Sequence, residues 1–590
     1  MRKLIDELLL IIEAAMCDAG YDKKFAAVKT SDRPDLCEYQ CNSAMRMAKE
    51  LKKNPFDIAY EIADELKKRN ELINVSVARP GFINFDIDGE FLSGYLEKMN
   101  IDTNLAVNID NKKSTIIMDY GGPNVAKALH IGHLRSAIIG EALKRIAKFM
   151  GHKVIADVHL GDYGLQMGLI ITELKRVKPD LKYFKSDFDG SCLEFSETFE
   201  PQFTIEELGE IYPRASAKSK EDKEYYNEAL KTTGLLQEGN SDYAVLFNHI
   251  IKVSVSDLKK SYRRLNVSFD LWLGESDAKP YIKDMLEEMK RNGYAREDDG
   301  ALVIDVVQPD DKKEVPPCIV QKSDGSSLYA TTDLATIVQR KKNFNPSKII
   351  YVVDKRQELH FTQVFRAARK CRLIDDDTDT VFIGFGTICD SDGKPLKSRD
   401  GGVMTLKSLL DETAATMLKK IENSQMSEEE KENIAEMTAM AAIKYADLSN
   451  QTSKDYIYDS NKFTSYEGNT GPYILYSLVR IRSILAKCEG MESGIFMLNK
   501  EQNPKEKKLM LSITEFANAV ETAYNELSPS RLCSYMYDVA NCFSGFYNDV
   551  KVISETDTLK KQGYIDLLKL TERVLKKALE LLAIDVPKRM

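Results

Sequence analysis

The chain has 590 residues, 43% of them apolar and 30% charged, and a net charge of −9. Length and balance describe a soluble protein of about three to five compact units. The acidic balance excludes indiscriminate coating of nucleic acid, though not a local basic surface that grips one RNA.

The longest aliphatic run near the start, residues 8–12, lies between Glu7 and Glu13. It therefore reads as neither a signal segment nor a membrane span, and a cytoplasmic protein is expected. Helical spacing covers 42–51, Asn54-Pro55 stops it, and a second helix is expected over 56–68. VARPGFINFDI (77–87) alternates like one half-buried strand, and polar residues 104–113 read as a linker. From Ser114 the rhythm becomes strand, helix, strand. A strand is expected over 115–118, a turn at Gly121-Gly122-Pro123-Asn124, a helix over 127–150 with Gly151 as its C′ cap, and a strand over 153–158. A charged helical insertion over 175–270 follows. Strands at 348–353 and 381–385 then flank a helix at 361–371. This alternation indicates an α/β, doubly wound parallel sheet. After Leu409 no strand signal remains, and heptad-like spacing predicts an all-α helical bundle. The expected division is an N-terminal α+β domain over 1–104, a Rossmann-like catalytic domain over 105–408 and a helical domain over 409–590. The ten cysteines form no C-x-x-C pair, so reduced structural thiols and no zinc site are expected.

Chemistry concentrates in AKALHIGHLRSAIIGEALKRIAKFMGH (126–152). His130 and His133, three apart, share one face at the N-terminal end of a helix, where free N–H groups and the helix dipole favour an anion. Lys127 adds a full charge, and Gly132 permits close approach of a ligand to the backbone. The stretch follows a strand and a tight turn, which puts it at the carboxyl end of a parallel strand, where doubly wound folds bind nucleotides. Polyphosphate suits such a place, and so does the charge that builds on phosphorus in a transition state. Solvated or core histidines are the alternative reading, and a metal site lacks a third local ligand.

GGPNVAKALHIGHLRSAIIG (121–140) resembles the HIGH motif of class I aminoacyl-tRNA synthetases, in the form found in arginyl-tRNA synthetases. HLGDYGLQMG (159–168), FDLWLGES (269–276), LYATTDLA (328–335), DKRQELHFTQ (354–363) and GNTGPYILY (468–476) resemble later blocks of that family. CEYQCNSAM and VARPGFINF resemble its N-terminal domain, and LAIDVPKRM its C-terminus, so the resemblance covers essentially the whole chain. It implies a ligase that activates L-arginine with ATP, carried as its Mg²⁺ complex, to arginyl-adenylate and pyrophosphate, then transfers arginine to the 3′ end of tRNA(Arg). It also implies a monomer without DNA or membrane partners, an N-terminal domain on the tRNA elbow and a helical domain on the anticodon.

By this resemblance His130 and His133 contact the phosphates or the substrate carboxylate, with Lys127 beside them. The family's second catalytic loop, KMSKS, corresponds to GKPLKSRDGGVMTL (393–406), which lacks lysine at the first and fourth places. Either Lys394 or Lys397 reaches the phosphates, with Ser398 and Gly401 on ATP and Gly401-Gly402 letting the loop close. Because this loop is imperfect, activation is expected to need tRNA bound first. His159 and His360 lie in blocks near the adenosine. A guanidinium presents five donors and is matched best by carboxylates. Glu275 and Asp333 fall on arginine-contacting positions, with Tyr329 one turn before Asp333. From the residues alone, Asp333 also reads as a helix cap and Glu275 as a loop acid. Asp119, Asn124 and Gln357 match positions at the α-amino end or that orient the substrate, and Gly122 and Pro123 belong to the same turn. Such a pocket rejects a wrong side chain by roughly 10⁴–10⁵ without editing, and the insertion is too short for an editing domain. Arg480, Arg482, Lys487, Arg573, Lys576 and Lys577, with Tyr473, Tyr476, Phe543 and Tyr547, read either as RNA contacts or as ordinary helix surface and core. His152 and His249 are expected to be structural, and Trp272 to be core.

Overall fold

The computed structural model describes residues 1–109, 113–185, 200–238, 241–396, 404–488 and 496–590. The chain divides into two compact units, one of Met1–Asp110, Ser465–Glu580 and Val586–Met590, the other of Asn111–Thr464 and Leu581–Asp585.

The second unit carries a parallel sheet of four strands, β1 (Thr115–Tyr120), β2 (Lys153–Asp157), β3 (Lys348–Asp354) and β4 (Asp379–Phe385), in the order β4-β3-β1-β2. Helix α1 (Ile131–Phe149) links β1 to β2, α2 (Leu165–Val177) follows β2, α3 (Tyr329–Phe344) leads into β3, and α4 (Glu358–Lys370) links β3 to β4. The sheet extends in opposite directions from β1 and β3, so the loops that follow these two strands flank the crevice where such folds bind ligands. Helix α1 lies so close on β1 that a Cβ added at Gly140 would sit 2.2 Å from Tyr120 Cγ. It ends as expected: Gly151 has φ 96°, its N–H donates to Lys148 O, and the His152 N–H donates to Ala147 O.

The expected insertion forms helices Ile205–Glu221, Lys223–Glu238 and Ser241–Arg264; Leu169 of α2 packs there against Ala215, Tyr225 and Ala229. A small antiparallel sheet, Arg296–Asp298, Ala301–Ile304 and Cys318–Gln321, precedes α3. Helices Leu406–Ile421 and Glu428–Leu448 belong to this second unit, which therefore runs past residue 409. One tie joins the second of these helices to α1: Arg135 Nε lies 2.9 Å from Asp447 Oδ2, with both side chains buried. A two-residue strand, Tyr456–Ile457, pairs with Ile388–Cys389 and corrects the expectation of no strand after 409; two residues carry no periodicity.

Lys444 is buried and donates to the Ala583 carbonyl, which holds the 581–585 segment in this unit. Burial pushes its ammonium from about 10.5 down to about 7, against the pull of Asp585. Between those values the unfolded chain holds the extra proton, so stability rises with pH across that window, by up to about 1.4 kcal/mol per pH unit. Denaturant unfolding from pH 7 to 10 is expected to show this slope in the wild type and not in Lys444→Met. Parallel curves for the two proteins refute it.

The first unit joins the N-terminal elements to the late helices. Its antiparallel sheet runs Val28–Thr30, Tyr39–Cys41, Phe82–Ile87, Leu72–Ala78. VARPGFINFDI is thus the turn and parts of two strands rather than one strand, because Pro80-Gly81 reverses the chain. The strands Val28–Thr30 and Tyr39–Cys41 are three residues long, too short to show alternation. Residues 8–12 belong to helix Leu4–Asp18, which buries Leu4, Leu8, Ile12 and Ala15 on one face. The helix expected over 42–51 ends at Leu51, where Lys52 turns left-handed (φ 51°), and Asn54 caps the next, accepting the Phe56 N–H at 3.0 Å. Ion pairs Lys3–Glu521 (2.6 Å) and Lys507–Glu38 (2.7 Å) tie the N-terminal layer to helices Pro504–Thr514 and Phe516–Asn525. Among the described residues no helix is long and apolar enough to cross a membrane, and nine cysteines are free thiols.

Candidate active site

The helix expected from residue 127 begins at Ile131, because His130 is its N-cap. His130 Nδ1 accepts the Gly132 N–H and His133 Nδ1 accepts the His130 N–H, each at 3.1 Å, a reciprocal capping box made of two imidazoles. Their ring centroids are 3.8 Å apart. With both Nδ1 atoms accepting, each ring is the Nε2–H tautomer with one donor left. Burial and then Lys127 push His130 below its ordinary range; burial, His130 and Lys127 push His133 down to about 3. Both are neutral N–H donors near pH 7. The space over Gly132, expected for a ligand, belongs to His130, whose Cε1 would lie 2.8 Å from a Cβ there. Lys127 is exposed.

The same backbone pairs with the far end of the 393–406 stretch. The Ile131 N–H donates to Met404 O (3.1 Å) and the Leu406 N–H to Leu129 O (2.9 Å). At the near end the Leu396 N–H donates to Ile388 O, and Lys394 is exposed in the turn. Lys397, Ser398 and Gly401 lie outside the described residues.

Asp119 and Asp157 are register partners on β1 and β2 and share one cation that sequence reasoning missed. Arg340 Nη2 of α3 lies 2.6 Å from Asp119 Oδ2 and 2.7 Å from Asp157 Oδ2. His159 Nδ1 stands 3.6 Å from Asp157 Oδ2. Burial opposes its charge, but Asp157 and Asp119 hold the imidazole protonated, up to about 9. Burial likewise opposes the Asp157 charge, yet His159 and Arg340 hold that carboxyl down to about 2. Donor atoms of Asp119, Asp157 and His159 lie within 4.8 Å of one another, a spacing that suits a metal, but Arg340 already occupies both carboxylates.

Asp162 builds the next wall. Its carboxylate accepts the Ser276 N–H (2.9 Å) and hydroxyl (2.7 Å), which starts the short turn Glu275–Ala278. Burial and then the charge of Asp333 push Glu275 up to about 7, with His159 opposing. Asp333 is the fifth residue of α3 and does not cap it; Thr331 Oγ1 does, accepting the Leu328 N–H at 2.9 Å. Asp333 Oδ2 instead pairs with His360 Nε2 at 2.6 Å, so that nitrogen, expected on ATP, is committed to Asp333. Among the described residues neither Glu275 nor Asp333 has a lysine or arginine partner. Tyr329, one turn before Asp333, is 72% exposed. Asn124 and Gly122 are exposed, and buried Pro123 accepts the Gly161 N–H at 3.1 Å, which fastens this turn to the loop after β2. Gln357 is exposed at the N-cap of α4.

In the other unit Arg482 binds Glu572 (2.7 Å) and the Pro587 carbonyl (3.0 Å), and Arg573 binds the carbonyls of Asn100 and Asp102. Both are structural cations, and buried Phe543 is core. Arg480 covers the Tyr547 ring at 4.4 Å; Tyr473 bonds Asn541; Lys577 pairs with Glu580; and Tyr476, Lys487 and Lys576 are exposed. His152 bonds Ser114 and His249 bonds Tyr183, both structural as expected. Trp272 is half-buried among Tyr262 and Phe269.

Residues 96–460 match the family model for the tRNA synthetases class I (R) catalytic domain, residues 474–590 the DALR anticodon binding domain, and residues 3–87 the arginyl tRNA synthetase N terminal domain. The chain is 51% identical to the arginine–tRNA ligase of Agathobacter rectalis and 48% identical to that of Alkaliphilus oremlandii, over 100% of both chains in each comparison. Its fold is similar to the arginyl-tRNA synthetases of Plasmodium falciparum (TM-score 0.78, 24% identity) and Thermus thermophilus (TM-score 0.77, 22% identity), again over 100% of each chain. The chain belongs to the arginyl-tRNA synthetases, the class I arginine–tRNA ligases.

Proposed function

We propose that the crevice at the carboxyl edge of the parallel sheet seats arginine with its guanidinium between Glu275 and Asp333, its α-ammonium at Asp119, and its carboxylate turned toward the α-phosphate of ATP beside His130 and His133. The activity itself, ATP-dependent ligation of arginine to tRNA, belongs to the chain as a member of its family. The observation that carries the assignment is the pair of neighbouring acids, one of them raised to about 7 by burial and by the charge of the other, with no lysine or arginine partner among the described residues. A guanidinium satisfies both. Tyr329 covers the guanidinium, and Asn124 and Gln357 orient the backbone end, with Gly122 and Pro123 shaping the turn.

Activation is an in-line displacement at the α-phosphate by the arginine carboxylate, so the protein needs to position two substrates rather than supply a nucleophile. The Nε2–H donors of His130 and His133 face charge that develops on the phosphate. Lys127, with Lys394 or Lys397 and with Ser398 and Gly401, holds the pyrophosphate end. Mg²⁺ enters as part of the ATP complex, and no zinc takes part. The tRNA acceptor hydroxyl then takes arginine from the adenylate. Residues 1–104 serve the tRNA elbow, the parallel-sheet unit to about residue 464 the chemistry, and the helices within 474–590 the anticodon, in a monomeric cytoplasmic protein. Because the 393–406 loop lacks two of the usual lysines and its far end is pinned beside His130, tRNA completes the site before activation.

ATP–pyrophosphate exchange with each standard amino acid, with and without bulk tRNA, tests this. Exchange with arginine alone, and only with tRNA present, is expected. Exchange without tRNA removes the gating but keeps the pocket. No exchange with arginine under either condition overturns the reading.

A further inference from the structure

The crevice offers two carboxylate pairs, Asp119 with Asp157 and Glu275 with Asp333, and the substrate has two cationic ends. A flexible dication has two ways to enter such a site. The pairs differ in what they already hold: the first a guanidinium, the second only the His360 imidazole on Asp333. Arg340 is 1% exposed and lies over the Tyr351 ring at 5.3 Å, so it is a fixed part of the wall. It bridges the two aspartates through Nη2 alone, and its Nε and Nη1 have no hydrogen-bond partner among the described residues. Asp157 is 1% exposed against 8% for Asp119, so Asp119 is the member that keeps surface of its own. With protonated His159 beside Asp157, two carboxylates face two cations, and the cluster has no net pull on a third.

We propose that Arg340 is a specificity-determining positioning residue that sets which way round arginine enters. An internal guanidinium seated on the Asp119–Asp157 pair bars a second one there and leaves Asp119 as a hydrogen-bond acceptor for a compact ammonium. The Glu275–Asp333 pair, which has the His360 imidazole beside it but no guanidinium or ammonium of its own, then takes the guanidinium. This inference rests on the arginine pocket proposed above.

Arg340→Gln restores net negative charge at the first pair and makes both ends of the crevice attractive to a guanidinium. Reversed arginine then occupies the site unproductively, so kcat and KM for arginine in tRNA charging fall together by about tenfold while kcat/KM stays within about threefold. Agmatine, which is arginine without its carboxylate and cationic at both ends, becomes a competitive inhibitor about tenfold tighter, and Arg340→Lys returns both readouts toward wild type. A fall in kcat/KM without the joint fall in kcat and KM, with agmatine unchanged, shows a merely structural arginine and overturns the proposal. If melting shows that Arg340→Gln does not fold, Asp157→Asn replaces it. That change leaves the cluster with excess positive charge, so arginine KM rises about tenfold while inhibition by n-butylguanidine, a guanidinium without an ammonium, is unchanged; equal shifts in both overturn the proposal. Inhibition by n-butylguanidine in Glu275→Gln separates the two layers. If it persists at wild-type strength, the pocket reading itself falls and takes the proposal with it. If it is lost while Arg340→Gln leaves agmatine unchanged, only the role of Arg340 falls.

Discussion

Glu275→Gln is expected to lower kcat/KM for arginine by about 10²–10³-fold, equivalent to roughly 3–4 kcal/mol, with little change in KM for ATP. Glutamine keeps the shape and one acceptor, so the loss reports the charge. Asp333 remains, which is why the loss is not larger. The same residue sets a pH dependence. Burial and Asp333 raise the Glu275 carboxyl to about 7 in the free protein, whereas binding a guanidinium requires it ionised. Arginine keeps its guanidinium charge throughout. Affinity for arginine is therefore constant above pH 7 and falls as pH drops through it, by up to about tenfold per unit, with up to one proton released on binding below pH 7 and none above it. His130 and His133 add no limb near 6.5, because both are held below that range and are already neutral. Calorimetry from pH 5.5 to 8.5, in buffers of different ionisation heat, counts the proton. A flat wild-type profile, or a limb that survives in Glu275→Gln, refutes the assignment.

The parallel sheet is legible in the sequence because β1, β2, β3 and β4 are apolar runs separated by long helical periods, and each run appears within a few residues of its place. Strands of two or three residues, such as Val28–Thr30 and Tyr456–Ile457, have no period to read. The start of α1 is displaced because histidine is an unusual N-cap: nothing in AKALHIGH announces that one imidazole closes the helix and the other returns the bond. Glu275 and Asp333 are legible as acids in recognisable blocks, yet the link from Asp333 to His360 crosses 27 positions and exists only once α3 and α4 pack. Arg340 is the clearest omission. In DLATIVQRKKNF it reads as the basic last turns of a helix, where cations are ordinary. Only the register of β1 with β2 brings two aspartates together beneath it. Arg482 and Arg573 read from the sequence either as RNA contacts or as ordinary helix surface, and the fold makes them neither, committing them to carbonyls and an acid.

His130→Asn separates the fold of the HIGH loop from its chemistry. Asparagine is among the preferred N-caps, so it accepts the Gly132 N–H in place of Nδ1 and keeps the helix stable to within a few tenths of a kcal/mol. What it removes is the Nε2–H donor. That donor meets charge present mainly in the transition state, so kcat for activation falls by about 10²–10³-fold while KM for arginine changes little. His130→Ala shows the same kinetic loss plus about 1 kcal/mol of stability, because the cap goes too. Gly132→Ala deletes no functional group, yet its Cβ would stand 2.8 Å from the His130 ring and displaces it. It therefore reproduces the kinetic defect of His130→Asn with arginine binding intact. Single-turnover activation and thermal melts on the three variants read these terms separately. If His130→Asn keeps more than about a tenth of wild-type kcat, the imidazole pair is a capping device alone and the phosphate is stabilised elsewhere, with Lys127 the nearest cation on the same turn.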